Sequence, residues 1–162
     1  MDLTKQINLK VMAIKGSDLI SPLQIQQKQK SHQYCMLCGP QSQLGLKLDF
    51  YSNESEVWTI AQGSIHQQGY QGILHGGFLS ALLDAVMCQA VFNQQVEAVT
   101  ADMNIRFLHE IAVNSELLIK GEVISHYSSL YKVKAEIYVG KQLMVKADAR
   151  FMKKKSNIKD EK

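Results

Sequence analysis

Residues 77 to 92 carry Phe78, Leu79, Ala81, Leu82, Leu83, Ala85, Val86, Met87, Ala90, Val91 and Phe92, an apolar run of helical length with side chains in almost every direction. Such a helix is expected to be buried all round, so the rest of the chain must wrap it. The flanking sequence supplies strands. Val99, Ala101, Met103, Ile105 and Phe107 alternate with Thr100, Asp102, Asn104 and Arg106, the period of a half-buried strand. Tyr131, Val133, Ala135, Ile137 and Val139 repeat that pattern, and Gly140-Lys141 turns the chain into Leu143, Val145, Ala147, Ala149 and Phe151, a third strand pairing back on the second. Residues 115 to 125 read as another strand, in which Gly121 predicts a bulge or bend. Ahead of the helix, residues 44 to 52 and 56 to 61 are expected to form an antiparallel hairpin around Ser52-Asn53-Glu54-Ser55. One long buried helix and about six antiparallel strands predict an α+β architecture, a sheet curled around the helix.

A chain of 162 residues with 46% hydrophobic content suits one domain with a proper core. The expected organisation is an N-terminal extension over residues 1–33, partly helical through the polar run Gln24 to Lys30, then the main domain over 34–152, then a charged disordered tail over 153–162. The net charge of +3 resides in that tail, where Lys153, Lys154, Lys155, Lys159 and Lys162 stand against Asp160 and Glu161. The neutral body argues against a nucleic-acid partner, which needs clustered basic residues on the folded surface. No apolar run reaches the length of a membrane span, and the first residues lack the apolar core of a signal peptide. The expectation is a cytoplasmic protein with no membrane partner, and three cysteines, an odd number, fit a reducing compartment.

Asp84 requires an explanation, because a carboxylate on a buried helix costs several kcal/mol (of order 2–5) unless something satisfies it. Ser80, Asp84 and Cys88, at i, i+4 and i+8, form one polar stripe where a cleft is expected. The plain alternative is a structural pair, for instance with Arg106. Just before the helix, His75, Gly76 and Gly77 let the chain turn sharply and leave N–H groups free at the positive helix end. Such donors suit a developing oxyanion, and a carboxylate that activates water or attacks directly would complete a hydrolytic site. A bare glycine-rich helix entry is the competing reading. The eight positions from Gly76 to Asp84 amount to ~12 Å of helix at about 1.5 Å per residue, too far for one substrate carbonyl to touch both in one chain. If both act on it, Asp84 comes from a two-fold-related partner.

The segment His66-Gln67-Gln68-Gly69-Tyr70-Gln71-Gly72-Ile73-Leu74-His75-Gly76-Gly77, followed by Leu82-Leu83-Asp84, resembles the hotdog-fold acyl-CoA thioesterases of the phenylacetate-pathway (PaaI-like) type. Upstream, Cys35-Met36-Leu37-Cys38-Gly39 and Gly45-Leu46-Lys47-Leu48 are similar to the lead-in of one branch, and Thr100 to Phe107 resembles the strand after the helix, so the likeness runs over residues 34 to 152. It implies the hotdog fold and hydrolysis of an acyl-CoA to CoA and a carboxylic acid, without a cofactor, in a homodimer with shared sites or a tetramer. In that scheme the Gly76 N–H polarises the thioester carbonyl, His75 orients the loop, Asp84 of the other subunit is base or nucleophile, and Thr100 assists near the attacking water. Gln68, Leu74, Gly77 and Ser80 are then expected to border the substrate. Gly69 stands where some relatives carry Asn or Gln to hold the water, with Gln68 as the available substitute, and Ala85 stands where others carry an acid. Both departures keep open a non-catalytic acyl-CoA-binding module. A hydratase reading would nominate His66, whose neighbours do not resemble that motif. His32, Cys35 and Cys38 have ligand spacing for Zn²⁺ but no fourth ligand nearby in the sequence, so no metal is expected and the thiols read as packed or free.

Overall fold

The computed structural model describes residues 2–16 and 21–155. Helix α1 spans Leu3–Lys15, strand β1 Gln24–Ile25, β2 Tyr51–Ser52, β3 Val57–Gln62, helix α2 Gly76–Phe92, β4 Ala98–Phe107, β5 Glu116–Tyr127, β6 Leu130–Val139 and β7 Gln142–Lys153. The strands form one antiparallel sheet in the order β1-β2-β3-β5-β6-β7-β4. Seven strands stand where about six were expected, two of them only two residues long. The sheet wraps α2, the arrangement of a hotdog fold.

Helix α2 buries Leu79, Leu82, Leu83, Val86, Met87, Ala90 and Val91 against the sheet, with Ile119, Val133, Ile137, Val145 and Phe151 in the same core. It is not buried all round. Gly76, Phe78, Ser80, Ala81, Asp84, Ala85 and Cys88 are only half-buried and Gly77 is exposed, so one face of the helix is only partly covered by the described residues. Gly121 marks neither bulge nor bend. A Cβ there would lie 2.7 Å from the Val86 carbonyl oxygen, so the glycine permits close packing of α2 on β5. The irregularity in β5 falls between Val123 and Ser125.

The extension folds differently from expectation. The polar run Gln24–Lys30 is not α-helical, and only its last residue opens a 3-10 turn, Lys30–His32: Leu23 is fully buried, Gln24 and Ile25 pair with β2, and the Gln26 N–H donates to the Phe50 carbonyl at 2.7 Å. Tertiary pairing and one buried leucine override helix propensity there. The helix lies earlier, where Ile7, Val11 and Ile14 share one face and the Asp2 side chain caps the Thr4 N–H. That face joins Leu23, Tyr51, Trp58 and Leu118 in a second core on the outer side of the sheet. The predicted hairpin exists only at Tyr51–Ser52 against Val57–Trp58; residues 44–50 form no strand. Of the predicted tail, residues 156–162 lie outside the described residues.

Candidate active site

The loop before α2 is built by short hydrogen-bonded turns. Ser64 and Gln67 cap the 3-10 turn Ile65–Gln67 reciprocally, the His75 N–H donates to the Gln67 carbonyl at 2.8 Å, and the Leu74 N–H to the Ile111 carbonyl at 2.8 Å. Leu74 is buried in the core, so it anchors the loop rather than bordering a ligand as expected. His75 is the N-cap of α2, and its Nδ1 accepts from the Gly77 N–H at 2.8 Å. Of the two glycine donors anticipated at this helix end, that one is satisfied. Among the described residues nothing accepts from the Gly76 N–H, and it stands at the positive end of a 17-residue helix. The Phe107 ring approaches Gly76 from β4.

Gln68 does not take over freely from the missing amide at residue 69, because its Oε1 accepts from the Gly72 N–H at 3.1 Å. A Cβ at Gly69 would meet the His75 ring at 3.2 Å, so a larger residue there would press on the cap. Ser80 donates to the Gly76 carbonyl at 2.7 Å, a bond within the helix rather than toward a substrate.

Asp84 and Thr100 meet. Thr100 Oγ1 donates to Asp84 Oδ1 across the groove between α2 and β4, and the alternative partner, Arg106, is exposed and makes no pair with Asp84 among the described residues. The contact depends on a β-bulge. Thr100 pairs with Phe151 and Asp102 with Arg150, leaving Ala101 without a partner in β7. The extra residue changes the phase of β4, so Ala98 and Met103 pack on the core with Thr100 between them, while Asp102 faces outward to Arg150 Nε at 2.7 Å. The expected single face of Val99, Ala101, Met103, Ile105 and Phe107 is therefore broken at the bulge. Cys88, one turn beyond Asp84, has its thiol pushed up to about 11 by burial and by the Asp84 carboxylate; it is a packed thiol beside the site.

A cavity of about 600 Å³ opens beside the helix entry, larger than a hollow of about 290 Å³ on the outer sheet face. Gln68, His75, Gly77, Phe78 and Ala81 line one side of it. Met36, Leu37, Leu44 and Leu46 line the other, and sequence reasoning missed all four as cavity residues. Leu44 and Leu46 were absorbed into the predicted hairpin, and Met36 and Leu37 were read only as part of the lead-in that resembles one family branch. Such a volume suits a small-molecule ligand. His32, Cys35 and Cys38 come together on this same loop, their ligand atoms within 4.8 Å of one another.

Residues 71–146 match the sequence model of the thioesterase superfamily. The mouse protein named acyl-coenzyme A thioesterase THEM4 is 32% identical over 82 residues, 46% of this chain and 35% of the mouse protein; the chain spans less than half the length of the curated relatives it matches. A crystal structure of a thioesterase superfamily protein superposes with a TM-score of 0.69 at 21% identity, covering 74% of this chain and 60% of the other. A Streptococcus pneumoniae hypothetical thioesterase solved with coenzyme A superposes with a TM-score of 0.59 at 22% identity, covering 61% of this chain and 81% of that one. The pneumococcal protein was also solved as two alanine variants, one of an aspartate and one of a threonine sixteen positions further on. A sheet wrapped around one long helix, and a sequence match that runs from the loop before that helix into the last strand, make residues 71–146 similar to the thioesterase superfamily in both fold and sequence.

Proposed function

We propose that the chain is an acyl-CoA thioesterase of the PaaI-like type, hydrolysing an acyl-CoA to CoA and a carboxylic acid in a site shared by two subunits. The observation that carries this is the pairing of an unpartnered Gly76 N–H at the end of a helix with a carboxylate held by Thr100. Thr100 stands sixteen positions beyond Asp84, the separation of the two residues replaced in the pneumococcal protein, which was itself solved with coenzyme A. Water attacks the thioester carbon while Asp84 of the partner subunit takes its proton. The carbonyl oxygen becomes an oxyanion that the Gly76 N–H stabilises. The C–S bond then breaks, and the proton passes from that carboxyl group to the departing CoA sulfur. The cavity beside His75 and Phe78 receives the acyl chain, and no cofactor enters the reaction.

Dimerisation is part of the same reading. Among the described residues strand β4 is bonded only to β7, and its Val99 and Phe107 are 55% and 50% exposed. A second copy across that edge would complete the cover of the half-buried face of α2 and bring an Asp84 toward the opposite Gly76. The test is Asp84→Asn, assayed for thiol release over a panel of acyl-CoAs: turnover should be abolished with fold and dimer intact, and unchanged hydrolysis would remove Asp84 from the reaction.

One observation favours a second reading, a module that binds acyl-CoA without hydrolysing it. Residue 69 offers no side chain to hold a water, and the Gln68 carbonyl is engaged with Gly72. Saturable binding of acyl-CoA with no product from the wild-type chain would select it.

A further inference from the structure

His32 Nδ1 lies 3.6 Å from Cys38 Sγ. A tetrahedral zinc ion, with Zn–S bonds of about 2.3 Å and Zn–N bonds of about 2.0–2.1 Å, sets its sulfur and nitrogen ligands ~3.6 Å apart. Cys35 completes the group, with all three ligand atoms within 4.8 Å of one another. The backbone is folded tightly around these sulfurs. The Leu37 N–H donates to Cys35 Sγ at 3.4 Å, the Cys35 N–H to the His32 carbonyl at 2.9 Å, and the Gly39 N–H to the Cys35 carbonyl at 2.9 Å. Residue 39 must be glycine, since a Cβ would sit 2.4 Å from the Cys35 nitrogen.

The second sulfur has its own donor, and it comes from the core. Gln89 is a buried polar residue on α2, and a buried amide requires partners. Its Oε1 accepts from Gln29 Nε2 at 3.2 Å, which turns its Nε2 toward Cys38 Sγ at 3.8 Å. N–H donors directed at both sulfurs are what a metal-bound thiolate pair requires of its surroundings. Thiolate and imidazole ligands together select zinc among the common divalent ions.

We propose that His32, Cys35 and Cys38 bind one zinc ion, its fourth position open to water or an added ligand, and that the ion fixes the cavity wall formed by Met36 and Leu37. Those two residues lie between the cysteines and line the cavity, so metal binding and pocket shape are joined through the shortest possible stretch of chain. The site stands whether or not Asp84 hydrolyses anything.

The test uses the full chain, reduced, stripped of metal and kept free of oxygen, titrated with Co²⁺ as a spectroscopic substitute for zinc. One equivalent per chain is expected to produce a thiolate-to-cobalt charge-transfer band and the strong visible bands of four-coordinate cobalt, both erased by one equivalent of Zn²⁺. Cys38→Ser should lose the share of the charge-transfer intensity that its own Co–S bond carries, the Cys35→Ser/Cys38→Ser double variant should lose all of it, Cys88→Ser should keep it, and His32→Gln should bind at least tenfold more weakly. Zinc should also slow amide exchange in residues 33–39 of the wild type. No charge-transfer band in the wild-type chain, or a band of unchanged intensity in the Cys35→Ser/Cys38→Ser double variant, overturns the site. Unchanged exchange in the loop on zinc binding overturns the coupling to the cavity wall. Both of those readings come from the wild type itself if a variant fails to fold.

Discussion

The bulge at Ala101 turns Thr100 toward α2, where its hydroxyl donates to Asp84 Oδ1 and leaves the other carboxylate oxygen for a water. A hydroxyl that holds a charged base is worth about 1.5–3 kcal/mol, which is about a 10- to 100-fold effect on rate if the contact persists in the transition state. Thr100→Val keeps the shape of the side chain and removes the donor, so kcat should fall by that factor with KM little changed, while Thr100→Ser keeps most of the activity. A Val variant with wild-type kcat would show that the contact only supports the fold. At this scale the sequence was legible in residue identity and not in direction. Asp84 stood out as an acid on an apolar helix, but Thr100 entered only through family resemblance, since strict alternation put it on the solvent face. The bulge that reverses this is set by pairing with β7, and no local pattern in Ala98–Phe107 records it. His75 illustrates the same limit: its position before two glycines was plain, whereas its use as a cap for Gly77 depends on a ring orientation fixed by the loop around Gly69.

Among elements, α2 and the strands β4 to β7 were legible because each runs over ten or more residues with an apolar pattern along most of its length, and burial follows that pattern most closely in β6 and β7. The N-terminal third was not, because its helix shows only a short apolar face and its strand only two residues. Besides its buried apolar face, α1 is tied to the sheet by an ion pair between distant residues. Glu56 is 5% exposed; Lys15 from α1 and Lys120 from β5 form ion pairs with it, and Trp58 Nε1 donates to it at 3.0 Å. Burial pushes the Glu56 carboxyl upward, but hydrogen bonds from Lys15 and Trp58 and the charge of Lys120 outweigh it and hold the group below its ordinary 4.5. A depressed folded-state value means that the ionised group stabilises the fold fully above about pH 4.5. That stabilisation is lost as pH falls through the lower folded-state value. Glu56→Gln, which resembles the protonated acid in shape, should therefore cost about 1–3 kcal/mol near neutrality and progressively less in acid. Urea midpoints of both proteins, measured near neutrality and well below pH 4.5, check this; a gap that stays constant would mean that the charge contributes nothing.

For the whole molecule, the half-site at Gly76 and the half-site at Asp84 can be disabled separately and then recombined. Gly76 is the first residue of α2, the helical position that accepts proline because its N–H has no partner within the helix. His75, with φ −66 and ψ 133, already has the extended backbone that a residue before proline adopts. Gly76→Pro should therefore fold and lose the one donor assigned to the oxyanion, lowering kcat by about 10²–10³-fold. Asp84→Asn lowers it from the other side. If each site draws Gly76 from one subunit and Asp84 from the other, a mixed dimer of the two variants holds one site with both groups intact and one with neither. Random exchange makes half of the dimers mixed, so about a quarter of wild-type activity should return on mixing two nearly inactive proteins. If both groups came from one chain, every site in the mixture would lack one of them and nothing would return. Activity after co-refolding, followed together with the dimer mass, thus tests the shared site and the β4 interface in one measurement. Recovery near a quarter requires both, and a stable mixed dimer without recovery rules out the division of labour between subunits.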